Sequence, residues 1–66
     1  MKINYNNLWK LLIDRSLKKT DLITMAGIGP ATLAKMGKNQ TVSMEILFKI
    51  CNALDCGVND ICEFIK

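Results

Sequence analysis

Apolar residues recur at helical spacing along five stretches of this chain, and polar or glycine-containing breaks separate them. A polar, Asn-rich lead, Asn4 to Asn7, comes first and is interrupted by Tyr5. Asn6 or Asn7 is placed to cap a helix over roughly 6–16, with Leu8, Leu11, Leu12 and the aliphatic stem of Arg15 turned inward. Trp9 and Ile13 fall on a neighbouring face, where Trp9 either fills the core against the C-terminal helix or meets a second subunit. Helices over 19–26 and 30–36 follow, the first turning Leu22, Met25 and Ala26 inward and the second Leu33 and Met36. Ser43 caps a fourth helix over 44–55, and Glu45 in its first turn suits the helix dipole. Its inward stripe is Met44, Leu47, Ile50, Cys51 and Leu54, with Ile46 and Phe48 off it. Asp55-Cys56-Gly57 then breaks the chain before a short helix over 58–64, in which Val58 and Ile61, with Ile65 just beyond, complete the core. Phe64 is spare: it either nucleates a symmetric contact with a second copy or folds back over Trp9. The expectation is an all-α domain of five helices covering residues 1–66.

The stretch Lys18–Lys38, KKTDLITMAGIGPATLAKMGK, is the most informative. Gly27 ends the second helix, because glycine takes the left-handed conformation without the clash a Cβ brings. Ile28 plugs the corner. Gly29 caps the third helix and Pro30 opens it, where a missing N–H costs nothing and φ is already helical. Pro30, Ala31, Ala34 and Lys35 are left facing outward, on a small surface with one charge.

This arrangement of helix, Ala-Gly-aliphatic turn and second helix resembles the helix-turn-helix of the phage repressor and Cro family, also called the xenobiotic-response-element-like family. Members usually carry Gln at the start of the first helix, a small residue at its fifth position, Gly in the turn and aliphatic residues at three later positions. Here these are Lys19, Ile23, Gly27, Ile28, Leu33 and Met36. Besides Lys19 in place of Gln, two departures matter: Ile23 replaces the usual Ala where the helices cross closely, and Lys18 stands where a Ser or Thr cap is usual, a loss of about 1 kcal/mol. The resemblance implies a compact, five-helix, lambda-repressor-like DNA-binding domain.

Composition extends this reading. Sixty-six residues make one small domain, and half of them are apolar, more than one core of this size hides. A second copy is the simplest cover, so a homodimer is expected. Residues 1–42 carry seven cations against Asp14 and Asp21, a formal +5, while residues 43–66 carry two cations against four anions, a formal −2. The basic part contains the proposed reading element, the polarity of a module that lays one side on phosphates. No apolar run has the length of a membrane span or the form of a signal peptide, so no membrane partner and a cytoplasmic location are expected.

Cys51, Cys56 and Cys62 are odd in number and come without histidine. The odd count in a chain expected to be cytosolic argues against a disulfide framework, the spacings are too wide for a metal site, and Cys51 and Cys62 fall on apolar faces as small hydrophobes. No histidine base, paired carboxylates or phosphate-cradling glycine spacing is present, which points away from an enzyme and from any cofactor.

The function expected is sequence-specific binding of double-stranded DNA by a small transcriptional regulator, with helix 30–36 in the major groove. Pro30, Ala31, Thr32, Ala34 and Lys35 would face the bases. Lys18, Lys19, Thr20, Lys38, Asn39 and Gln40 would hold the sugar-phosphate backbone, the last three by their match to the family's loop. Trp9, Phe48, Phe64 and Ile65 are the candidates for the dimer interface. The competing expectation is a protein-interaction module, antitoxin-like or scaffolding, in which Gly29, Pro30, Ala31 and Ala34 accept a partner helix.

Overall fold

Leu8 and Leu12, Leu22 and Ala26, Ile28, Met36, and Leu47, Ile50 and Leu54 meet in one buried cluster, because each helix presents these residues along a single stripe. The computed structural model describes residues 2–66. In chain order the elements are β1 (Lys2–Asn4), α1 (Asn6–Asp14), α2 (Asp21–Ala26), α3 (Pro30–Gly37), α4 (Met44–Leu54), a 3-10 turn (Val58–Asp60) and β2 (Glu63–Ile65). α2 packs against α4, and the 3-10 turn lies against both α1 and α4. The four helix ranges agree with the sequence reading to within two residues at each end.

The all-α expectation is corrected at both extremes of the described chain. β1 and β2 pair antiparallel, with Lys2 opposite Ile65, Ile3 opposite Phe64 and Asn4 opposite Glu63. The fifth helix is not formed: one 3-10 turn follows Gly57, and the chain then extends into β2. Ile61 and Cys62 still reach the core, but Val58 and Ile65 do not. Only three residues pair on each strand, too few for an alternation to stand out in sequence.

Three further inward assignments change. Tyr5, which reads as an interruption of a polar lead, is fully buried in the core cluster. Met25 and Met44 are exposed, each at an end of its helix, Met25 next to last in α2 and Met44 first in α4. Neither Asn6 nor Asn7 caps α1. Tyr5 occupies the N-cap position, and the buried Asn4 does the work from one residue earlier: its Oδ1 accepts the Asn6 N–H at 3.1 Å, while its Nδ2 donates to Glu63 at 3.1 Å across the strand pair.

Helix ends are otherwise tied locally. Ser43 Oγ accepts the Ile46 N–H at 3.3 Å, the cap expected for α4. The Arg15 guanidinium donates to the Leu54 carbonyl, placing a cation on the carbonyl-rich end of α4. Ser16, Asn39 and Asp55 follow α1, α3 and α4 with φ of 57°, 57° and 51°, so three helices end in a left-handed residue that is not glycine.

Candidate nucleic-acid interface

α2, the turn and α3 form the elbow expected of them. Gly27 ends α2 with φ 69° and ψ 32°, and Gly29 opens α3 from extended backbone, φ −82° and ψ 159°, with Pro30 in the first turn. Ile28 between them is buried. One left-handed residue, one buried plug and one extended cap therefore turn the chain from α2 into α3. Leu33 and Met36 hold α3 to the core, Met36 fully buried and Leu33 partly. On the other side Pro30, Ala31, Ala34 and Lys35 are exposed and Thr32 is half-buried.

Lys18, which lacks a capping side chain, is compensated by Asp21. The Asp21 carboxylate accepts the Lys18 N–H at 2.8 Å, and Asp21, Leu22 and Ile23 donate to the carbonyls three residues back. This is one half of a capping box, with the acidic side chain reaching back over a tight first turn. It leaves Lys18, Lys19 and Thr20 exposed at the start of α2. Ile23, bulkier than the family's usual small residue, is accommodated half-buried.

Lys19 has a neighbour that the sequence did not reveal. Its Nζ lies 4.5 Å from the centre of the Trp9 ring, so the ammonium is held over an indole face while staying at the surface. Trp9 is half-buried, packed on the core and tilted against Tyr5 at 6.5 Å between ring centres. Of the other dimer candidates, Phe48 and Phe64 are 70% and 71% exposed, and Ile65 is 46% exposed.

The segment after α3 is a built turn. Asn39 donates to the Met36 carbonyl at 3.0 Å and Gln40 to the Lys35 carbonyl at 2.9 Å, the paired bonds of a Schellman closure with Asn39 left-handed at its centre. Tyr5 fastens it from below: the phenol donates to the Gln40 carbonyl at 2.7 Å. Burial, with a smaller contribution from Cys62, raises the Tyr5 pKa, so the hydroxyl keeps its proton and stays a donor. Lys38, Asn39 and Gln40 are thereby presented, exposed, on a fixed backbone at the end of α3. Tyr5 is the positioning residue that sequence reasoning missed; a lone aromatic inside the Asn-rich lead was the available signal.

No group of three or more His, Cys, Asp or Glu among the described residues is arranged to hold a metal ion. The Cys56 and Cys62 thiols are pushed up in pKa, first by burial and then by the nearby Cys51. Among the described residues no helix is long and apolar enough to cross a membrane.

Residues 7–66 match the family model of the Cro/C1-type helix-turn-helix DNA-binding domain. The chain belongs to that family. The match spans the α2–α3 elbow, the four helices around it and β2. Among solved structures, the crystal structure of the transcriptional regulator VanUg is 48% identical, with a TM-score of 0.90, over 94% of this chain and 83% of that one. Curated proteins gave no match to this Cro/C1-type chain.

Proposed function

We propose that this domain is a transcriptional regulator that binds duplex DNA by laying α3, N-terminal end first, in the major groove. The observation that carries the reading is the outward face of α3. It is exposed apart from the half-buried Thr32, flanked by cations before α2 and after α3, and set by an elbow of one left-handed glycine and one buried isoleucine. The resemblance to VanUg, itself a transcriptional regulator, supports the same role.

Pro30, Ala31, Thr32, Ala34 and Lys35 face the bases. Lysine donates to guanine acceptors, and small apolar side chains touch a thymine methyl. Lys18, Lys19, Thr20, Lys38, Asn39 and Gln40 bracket that helix and bind phosphate without reading sequence. A face with so few hydrogen-bonding groups discriminates weakly in one copy. Two copies on half-sites about 34 Å apart restore discrimination, and exposed Phe48, Phe64 and Ile65 supply apolar surface for the pairing.

Titration of duplexes selected from a random pool tests this reading, with Lys35→Ala and Lys38→Ala alongside. Lys35→Ala relaxes base preference, whereas Lys38→Ala weakens all duplexes alike and lowers the salt slope by about one. Equal effects of the two would overturn the assigned roles. No binding to any duplex at low salt would move the α3 face to a protein partner. Sedimentation showing only monomer, with and without DNA, would remove the dimer.

A further inference from the structure

Beyond the helix-turn-helix, the structure has an open cleft of about 730 Å³ between the strand pair and the turn after α3. Lys2 stands on one wall, and Lys35, Lys38, Asn39, Gln40 and Thr41 on the other. Among the described residues the lining includes three lysines and no acidic residue, and with Lys35 assigned to the bases, Lys2 and Lys38 are left for a phosphate. Glu63, on the opposite strand, is held by the Asn4 amide and is not among the lining residues. The two walls come from segments more than thirty residues apart in sequence, yet they are tied at their base. Tyr5, which directly follows β1 and Asn4, donates to the Gln40 carbonyl at 2.7 Å. Lys2 is held in line by pairing with Ile65, and its side chain is exposed.

We infer that this cleft seats a phosphate of the DNA backbone, and that Lys2 is a DNA contact outside the helix-turn-helix. The inference rests on the reading of α3 given above: the residues that bracket the end of α3 also form one wall of the cleft. A strand lying along them runs on toward β1. A lysine placed there meets the next stretch of backbone and adds affinity without sequence preference, because it faces phosphate rather than base edges. The strand pair would then act as a second, smaller clamp beside α3. A free phosphate would be attracted by the same charges, so the source of the phosphate has to be separated by experiment.

The test measures binding of a labelled mixed-sequence duplex by the whole chain between about 50 and 200 mM salt, for the wild type, Lys2→Gln and Lys2→Arg. Lys2→Gln should weaken every duplex alike and lower the log–log salt slope by about 0.9, so that its deficit shrinks about three- to four-fold across that range. Lys2→Arg keeps the charge and should keep the slope. Thermal melting of both variants at the wild-type temperature excludes a loss of the strand pair as the cause. A wild type that binds with a slope Lys2→Gln leaves unchanged overturns the inference and leaves the α3 reading intact. A wild type that binds no duplex overturns both. Inorganic phosphate shifting the Lys2 and Gln40 resonances, with DNA binding insensitive to Lys2→Gln, would assign the cleft to a free anion and likewise overturn the DNA contact.

Discussion

The elbow between α2 and α3 and the pair of strands beside it are both short, and they are held by opposite means. At the elbow, four consecutive residues settle the geometry among themselves: Gly27 is left-handed, Ile28 is buried, Gly29 is extended and Pro30 starts the next helix. At the strand pair, no residue settles anything alone. Asn4 donates to Glu63, Ile3 lies opposite Phe64, and Tyr5 donates to the carbonyl of Gln40. The elbow is written in backbone stereochemistry, whereas the strand pair depends on the rest of the molecule being folded first. Such a pair is marginal alone and borrows its stability from the core beneath it.

Breaking the long-range side should cost most. Tyr5→Ala removes a fully buried aromatic side chain and should destabilise the domain by about 3–5 kcal/mol, read by urea unfolding; a small domain has little more than that to lose. A loss under about 1 kcal/mol would mean that the core does not need this residue. Next in size, Gly27→Ala should cost about 1–2 kcal/mol, although no atom lies within 4 Å of the added Cβ, because the strain is in φ alone. Gly29→Ala, with equal space but extended backbone, should cost much less. Equal melting temperatures for the two variants would contradict the stereochemical account of the elbow.

Tyr5→Phe separates packing from the hydrogen bond. Leaving the Gln40 carbonyl without its donor should cost about 1 kcal/mol and speed amide exchange around Asn39 and Gln40, with α2 unaffected. Burial of three acidic protons gives a pH signature. The folded pKa values of Tyr5, Cys56 and Cys62 lie above their ordinary values of 10.0, 9.0 and 9.0, so the neutral forms are favoured by folding. Their contribution is fully present below pH 9 and is lost as pH rises through the folded values; unfolding midpoints should be level from neutrality to that point and fall beyond it. The smallest effect belongs to Phe64→Ser, which alters an exposed side chain and should move stability by no more than about 0.5 kcal/mol. If the dimer uses that face, self-association measured by sedimentation should fall far more than stability does.

The same contrast explains what was legible in the sequence. The α2–α3 motif, its turn and its caps could be read because Gly27, Pro30 and the aliphatic spacing act within one helical turn of each other. The α4 cap and the Leu47–Ile50–Leu54 stripe were legible for the same reason. β1 and β2 were not, since Lys2–Asn4 and Glu63–Ile65 acquire their identity from each other across the whole chain. Helix periodicity carried Val58 and Ile61 on into a fifth helix, but after a single turn the backbone is drawn out to meet β1. Of the site, the exposed face of α3 was foreseen. The bond from Tyr5 to Gln40, the Trp9–Lys19 contact and the cleft beside Lys2 were not, because each joins residues that no spacing rule connects.

Trp9 is the lone tryptophan, and a positive charge sits 4.5 Å above its ring. The indole, on α1, is therefore placed to act as a built-in voltmeter for the charge that precedes α2. Its emission wavelength responds to the local electric field, and a phosphate drawing Lys19 away would change that field at once. Docking on a duplex could then be followed by colour alone, without attaching a dye.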